Sequence, residues 1–160
     1  MRILILCLLG ISCATFSAER INRPATTAVE LTTAPQLDGV IKNDDAWKGA
    51  MPMTDFWQVR PVEGKAASQR SEVYVGYTKN TLYVAAMLYD ESASGILVTD
   101  SRRDSKLDET DSFQIILDTY KDEQNGFVFG TNPAGIEYDG QVTKGGTAAF
   151  GSGVGGFNLN

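Results

Sequence analysis

The stretch EVYVGYTKNTLYVAAMLY, residues 72–89, decides the fold class of this chain. On both sides of Lys79-Asn80, apolar residues recur at every second position, which is the period of a half-buried β-strand. Two polar residues between two such runs indicate a short hairpin turn. We therefore expect two adjacent antiparallel strands, at residues 72–77 and 82–89.

Other segments of the chain have the composition of further strands. Residues 112–120 (SFQIILDTY) are rich in apolar and β-branched residues, and we expect them to form a central strand. Residues 53–60 carry two aromatic residues and predict another strand. Val29 and Leu31 alternate with polar residues, which is consistent with a first strand.

Turn and loop residues separate the remaining elements. Short strands are expected at residues 126–130 and 136–140, around an Asn-Pro-Ala-Gly turn at 132–135. The polar residues 92–111 predict a long loop, and NDDAW at 43–47 predicts one N-capped helical turn that places its tryptophan on the core. Short strands at steady spacing, without a long helical period, predict an all-β fold: an antiparallel, jelly-roll-like β-sandwich.

The composition excludes several functional classes. The chain has 160 residues, with 14 basic against 20 acidic side chains, a net charge of -6 and no histidine. An acidic chain without a basic stretch does not suit nucleic-acid binding, which begins with phosphate neutralisation. The lack of histidine removes the usual Ser-His-Asp triad and most zinc sites.

The N-terminal segment has the pattern of a secretory signal peptide. Arg2 precedes a short apolar run, small residues follow, and cleavage is expected after Ala18. The alternative is a buried N-terminal helix. Residues 19–27 are predicted to be a linker, and residues 28–160 the folded domain. We expect export to the periplasm, the outer membrane or the cell exterior, and a mature chain without thiols, because Cys7 and Cys13 lie in the leader.

The last residues begin a pattern that does not continue. Phe157 and Leu159 alternate with asparagines, as in a strand, and the sequence then ends at Asn160. We expect an incomplete sandwich whose C-terminal strands are truncated. The alternative is a frayed glycine-rich tail.

Three ordered segments resemble the family 9 carbohydrate-binding modules. Residues 37–39 (LDG) followed by 46–47 (AW) are similar to the opening of these modules, residues 82–90 (LYVAAMLYD) to a later strand, and residues 111–118 (DSFQIILD) to a strand that the family writes DSVEIFLD. Their order and spacing match, and the resemblance covers residues 28–160. It implies a β-sandwich that binds a polysaccharide or glycan without catalysis.

A second set of segments resembles one subgroup, the modules at the front of much larger outer-membrane proteins. In those proteins the module follows a signal peptide and precedes a strand-rich barrel. The resemblance therefore implies an outer-membrane β-barrel as a downstream partner in the same parent chain. The segments that carry it are residues 102–104 (RRD), 118–120 (DTY), 129–135 (FGTNPAG) and 139–140 (DG).

The family's sugar-binding groups are only partly matched. The tryptophan that precedes the DSVEIFLD strand corresponds to residues 107–110 (LDET), which contain no aromatic residue. The family's glutamate falls on Gln114, and its arginine and asparagine fall near Val128 and Gly130. Its second tryptophan would lie beyond Asn160. The resemblance thus implies the fold more fully than the sugar site.

Sugar binding requires flat aromatic faces and planar polar groups. Residues of these types are the candidate carbohydrate contacts: Trp57, Arg102, Arg103, Gln114, Asn132, Glu137 and Tyr138. Structural alternatives are open for them. Trp57 is equally suited to a place between the sheets, the arginines to ion pairs with nearby carboxylates, and Asn132 to shaping its turn.

A group of acidic residues in the long loop raises the question of a metal. Asp100, Asp104, Asp108 and Asp111 supply the oxygen ligands that calcium prefers, and calcium is abundant outside the cell. The family resemblance also implies structural calcium, without assigning ligands. The alternative is a solvated acidic loop with basic residues as counterions.

Three functions remain open from the sequence. The first is a non-catalytic carbohydrate-binding module of an exported protein that takes part in carbohydrate breakdown or uptake. The second is a structural periplasmic or surface domain of an outer-membrane β-barrel protein, with no sugar site. The third is the N-terminal module of an O-glycosyl hydrolase. We expect no turnover by the module alone, because nothing in it indicates the raised pKa that an acid catalyst needs.

Overall fold

The computed structural model describes residues 24–143, which form two three-stranded sheets. The predicted signal peptide, most of the predicted linker and the Phe157–Leu159 pattern lie outside the described residues. The strands are β1 (Val29–Glu30), β2 (Ser71–Tyr77), β3 (Leu82–Leu88), β4 (Phe113–Leu117), β5 (Gly126–Thr131) and β6 (Tyr138–Val142), with short 3-10 turns at Asp45–Trp47 and Ala93–Gly95.

The first sheet has the order β1-β2-β3 and is built on the predicted hairpin. Strands β2 and β3 pair antiparallel from Ser71 opposite Leu88 to Tyr77 opposite Leu82. The turn closes with a 2.9 Å hydrogen bond from the Thr78 amide to the Thr81 carbonyl. The hairpin prediction is therefore confirmed. Strand β1 pairs with β2 in parallel, which the sequence did not indicate.

The second sheet has the order β4-β5-β6, with antiparallel pairing throughout. Among the described residues β4 lies at one edge of the sheet and β5 in the middle, so the prediction that residues 112–120 form a central strand is wrong in its position. The apolar composition of β4 has another cause. Ile116 packs against the core on one face, and Phe113 lines a cleft on the other.

The predicted strand at residues 53–60 is not a continuous strand. Only two isolated bridges form there, Met53 with Val73 and Trp57 with Ala66. Between them Asp55 has φ 60, in the left-handed region. That conformation breaks the extended backbone, so aromatic content was a misleading signal here.

Strand β6 begins two residues later than the predicted strand at 136–140. The turn before it places Gly135 at φ 74, a conformation that suits glycine, and the Gly135 amide donates to the Asn132 carbonyl at 2.8 Å. Ile136 is buried directly after the turn. The apolar Ile136 therefore looks like the first residue of a strand in the sequence, although the ladder with β5 begins only at Tyr138.

The predicted N-capped turn at residues 43–47 is confirmed. Asp44 is the cap: its Oδ1 accepts from the Ala46 amide at 2.9 Å, and its Oδ2 accepts from the Gln36 amide at 2.8 Å. The cap fixes the turn that buries Trp47 against Tyr74, with ring centroids 6.0 Å apart. Trp47 is therefore structural, as expected.

Beside this aromatic pair lies a buried carboxylate, Glu72, on β2. It accepts hydrogen bonds from the hydroxyls of Tyr74 and Tyr89 and pairs with the guanidinium of Arg70. Burial of a charge is tolerated when it is paired and hydrogen-bonded in this way. Burial of Tyr74, followed by the negative charge of Glu72, raises the pKa of the Tyr74 phenol.

The buried core of the second sheet centres on Val128, which is fully enclosed in the middle of β5. Its apolar partners are Leu107, Ile136, Tyr138 and Val142, with Ile116 packed against them. Full burial of a side chain such as valine stabilises a fold by about 1.5–3 kcal/mol. The prediction of an all-β chain is confirmed: two mainly antiparallel sheets are compatible with a β-sandwich. Within residues 24–143, none of the helical segments is long and apolar enough to span a bilayer.

Close approach of β4 and β5 leaves no room for a side chain at Gly126. A methyl group there would lie 2.4 Å from the backbone oxygen of Leu117. We expect Gly126→Ala to lower the free energy of unfolding by about 1–3 kcal/mol, since the backbone must shift to accept it. Chemical denaturation measures this. Gly95→Ala is the control, because its methyl group would meet only Asp90, at 3.9 Å. Equal stability of the two variants would contradict the β4–β5 packing.

Candidate binding cleft

A cleft of about 300 Å³ lies between the two sheets. Strand β3 supplies one wall, and the start of β4 and the turn after β5 supply the other. Its lining residues are Val84, Ala86, Leu88, Asp111, Ser112, Phe113, Thr131, Asn132 and Pro133. We call this site the inter-sheet cleft.

Strand alternation determines which side chains reach the inter-sheet cleft. Phe113 and Thr131 are directly paired across β4 and β5, so their side chains share the face that lines the cleft. Gln114 and Gly130, the next pair along, lie on the opposite face. Phe113 is the aromatic side chain of this cleft, and it faces the aliphatic wall of β3.

Loop hydrogen bonds hold the polar rim of the cleft. The Asp111 amide donates to the Leu97 carbonyl at 2.9 Å, and Asp111 Oδ2 accepts from the Leu97 amide at 2.8 Å. Ser112 Oγ donates to the Leu107 carbonyl at 3.2 Å. The second oxygen of Asp111 has no hydrogen-bond partner among residues 24–143. The rim therefore combines a fixed backbone with free acceptor capacity.

Asn132 was predicted as a sugar contact, and its side chain is fully engaged. It is 6% exposed, its Nδ2 donates to the Asp100 carbonyl at 2.7 Å, and its Oδ1 accepts from the Ala134 amide at 2.9 Å. It borders the inter-sheet cleft, but its amide holds the 100–111 loop to the turn before β6. These contacts agree with the alternative in which Asn132 shapes the turn.

Arg103 and Glu137 come together, in an ion-pair group rather than an open site. The Arg103 guanidinium pairs with Glu137, with Asp139 Oδ1 at 2.7 Å and with Asp104 Oδ2 at 3.3 Å. Asp104 contributes most to raising the pKa of Arg103, followed by Glu137. The Asp104 amide also donates to the Glu137 carbonyl at 3.0 Å. These contacts fasten the 100–111 loop to the start of β6.

Arg102 pairs separately with Asp100. Its Nη2 lies 2.5 Å from Asp100 Oδ2, and its Nε lies 3.1 Å from each carboxylate oxygen. These hydrogen bonds lower the pKa of Asp100 to about 2. The Arg102 side chain is exposed and that of Asp100 is half-buried, so water competes for the hydrogen bonds mainly on the arginine side.

Gln114 and Tyr138 are neighbours on either side of Gly130, on the core face of the second sheet. Leu107 fills the space above the glycine, because a Cβ there would lie 2.7 Å from its Cδ1. Gln114 Oε1 is buried without a hydrogen-bond partner among the described residues. Burial, followed by the charges of Asp104 and Asp108, raises the pKa of Tyr138. The 100–111 loop thus covers both predicted contacts.

Trp57 lies apart from these groups. It is half-buried in a hairpin-like segment in which the Gln58 amide donates to the Lys65 carbonyl at 2.7 Å and the Ala67 amide to the Phe56 carbonyl at 2.9 Å. No residue of this segment lines the inter-sheet cleft. The seven predicted contacts therefore do not form one site.

Three of the four aspartates proposed for calcium are engaged by different partners, and Asp108 lies near Tyr138, whose pKa its charge raises together with that of Asp104. Asp100 pairs with Arg102, Asp104 with Arg103, and Asp111 binds the Leu97 backbone. Among residues 24–143, no group of three or more acidic, histidine or cysteine side chains is arranged to hold a metal ion. As placed, these residues do not fit a calcium site.

The residues that sequence reasoning missed are those of the cleft itself, above all Phe113, Thr131 and the β3 wall. A signal for Phe113 was present, because alternation along DSFQIILD places it opposite to Gln114. The β3 wall had no such signal, since its position opposite β4 is set by tertiary packing. In comparisons with protein-family models, curated proteins and solved structures, no match was found.

The Arg102–Asp100 pair gives a prediction for pH dependence. Because the Asp100 pKa is lowered in the folded state, its contribution to stability is present above pH 3.8 and is lost as the pH falls toward 2. We expect Arg102→Gln to raise the pKa of Asp100 toward 3.8, measured by NMR titration of the carboxyl carbon. Arg103→Gln is the control. An unchanged Asp100 pKa in Arg102→Gln would show that the pair does not form.

Proposed function

We propose that this chain is a non-catalytic carbohydrate-binding module of an exported protein, acting in carbohydrate breakdown or uptake. The observation that carries the proposal is the composition of the inter-sheet cleft. Phe113 and the β3 wall offer apolar surface, and Asp111 and Thr131 offer hydrogen-bonding groups on the rim. A sugar ring has the same two aspects, C–H faces and a hydroxyl edge.

The size of the cleft limits the length of the ligand that it can hold. A volume of about 300 Å³ is at the lower end of ligand pockets. That favours a short glycan or the end of a chain over the side of a long polysaccharide. Exposed Asp111 favours neutral or hydroxyl-rich sugars over uronates, because a carboxylate repels a second negative charge.

The proposed contacts differ from those that the family resemblance implies. The resemblance places the polar contacts around Gln114, on a face that Leu107 covers in this structure. The cleft uses the opposite face of the same strand, where Phe113 points. The ordered motifs support the sugar-binding class, and the cleft supports a different place for it.

The composition of the cleft also supports a non-catalytic role. Glycoside hydrolysis uses two carboxyl groups on either side of the scissile bond. Asp111 is the one carboxylate among the residues that line the inter-sheet cleft. Arg103 and Arg102 already occupy several of the nearby loop carboxylates.

Titration calorimetry of the purified chain against a panel of neutral oligosaccharides tests the proposal. We expect binding that Phe113→Ala weakens by about tenfold or more, because it removes the aromatic face. Thr131→Val is the milder variant, which removes one hydroxyl with little change of shape. Tyr120→Ala is the control, since Tyr120 is exposed and lies outside the cleft. The absence of heat with every glycan, or equal affinity of Phe113→Ala and Tyr120→Ala, would contradict the proposal.

A second candidate is a structural domain of an outer-membrane β-barrel protein that has no sugar site. The observation that favours it is the internal engagement of Arg103, Glu137 and Asn132. Those side chains hold the loop and leave the predicted contacts unassembled. A parent gene that continues into a long series of amphipathic strands, together with negative glycan titrations, would select this candidate.

A further inference from the structure

The outer edge of β3 has unpaired backbone groups. Two hydrogen bonds, one beyond each end of the β2–β3 ladder, determine which backbone groups of β3 face β2. The Thr78 amide donates to the Thr81 carbonyl, and the Tyr89 amide donates to the Arg70 carbonyl. Backbone groups of odd-numbered residues from 81 to 89 point toward β2. The even-numbered residues Leu82, Val84, Ala86 and Leu88 therefore direct theirs outward. Within residues 24–143 these outward groups have no partner.

The sequence of this edge carries none of the usual protection. Natural edge strands are commonly shielded by charged residues, by proline or by a covering loop. Residues 82–88 (LYVAAML) contain no charge and no proline, and Leu82 and Leu88 are 45% and 54% exposed. An uncharged edge of seven residues with an exposed leucine at each end is suited to receive another strand.

We propose that the occupant is a second copy of this chain, bound through its own β3 in an antiparallel arrangement. A twofold axis at Ala85 would place Leu82 opposite the partner's Leu88 and Val84 opposite the partner's Ala86. All four outward-facing residues then meet outward-facing residues, as hydrogen-bonded pairs require. The β1-β2-β3 sheets of the two copies then join into one sheet of six strands, and each exposed leucine gains an apolar neighbour.

Charge selects this register among the alternatives. With the axis at Ala85, Lys79 in the hairpin turn before β3 and the partner's Glu91, just after its own β3, come to the same end of the joined strands, and the pair recurs by symmetry. Both residues are exposed, and neither forms an ion pair within the described residues. Moving the axis to Val84 or Ala86 keeps the hydrogen-bonding parity but shifts the partner's Glu91 by two residues along the strand, about 7 Å, away from this alignment with Lys79.

This symmetry is the reason for choosing a second copy over another strand. The edge is self-complementary in backbone parity, in its terminal leucines and in its flanking charges. An unrelated strand would need to match all three properties. The charge pair that tests the dimer lies outside the lining of the inter-sheet cleft, whereas Val84, Ala86 and Leu88 of the β3 edge also form one wall of it.

Sedimentation velocity of the purified full chain, over a series of concentrations, tests the proposal. We expect a concentration-dependent monomer–dimer equilibrium. Lys79→Glu sets like charges together twice and should raise the dimer dissociation constant by about tenfold, and Glu91→Lys should do the same. The double variant, with both charges exchanged, should restore dimerisation. Lys65→Glu is the matched control, since Lys65 is exposed and distant from β3 in sequence.

Cysteine cross-linking tests the register independently of the affinity. In a background with Cys7→Ser and Cys13→Ser, Ala85→Cys places two thiols opposite each other at the axis, where a disulfide can form. Ala86→Cys is the control, because its thiol would face the partner's Val84. We expect rapid oxidation to a covalent dimer in Ala85→Cys and little in Ala86→Cys.

Three outcomes would overturn the proposal. One is a monomer at every concentration, which would assign the edge to a strand from elsewhere in the parent protein. Another is a dimer whose affinity the double exchange does not restore. The third is faster cross-linking of Ala86→Cys than of Ala85→Cys.

Discussion

The pairing of Gln114 with Gly130 is the constraint on which the second sheet and its cleft depend. Glycine leaves a gap in the sheet surface, and Leu107 occupies it. Anchoring Leu107 there holds the loop that leads into β4, and Ser112 at its end donates back to the Leu107 carbonyl. The rim of the cleft is thus a consequence of one missing side chain on β5. A slip of one residue would exchange the two faces of β4 and remove Phe113 from the cleft.

Electrostatics reinforces the same loop from its outer side. The chain is acidic overall, and its two adjacent arginines form ion pairs within the chain. Arg102 pairs with Asp100, and Arg103 pairs with Glu137 and Asp139 at the start of β6. Exposed pairs of this kind contribute little to stability individually. Here they join segments more than thirty residues apart in sequence, from Arg103 to Glu137 and Asp139. Their effect is to position the loop.

Sequence reasoning succeeded where a local pattern determined the structure. The β2–β3 hairpin follows from alternation and a two-residue turn, and the buried Trp47 from the capping aspartate three residues before it. It failed where distant segments determined the outcome. The edge position of β4 depends on which strands meet it, the break at Asp55 on one backbone conformation, and the cover over Gln114 on how the preceding loop folds back over the sheet. The candidate contacts therefore did not form one site, whereas the cleft joins two sheets that no local signal brings together.

The most direct test is a nuclear Overhauser measurement on isotopically labelled protein, because it reads the face of each β4 side chain. The account predicts cross-peaks between the Leu107 methyl groups and the Gly130 α-protons, and between the Phe113 ring and the methyl groups of Val84 or Leu88. Cross-peaks from the Phe113 ring to Leu107, with none to β3, would contradict it.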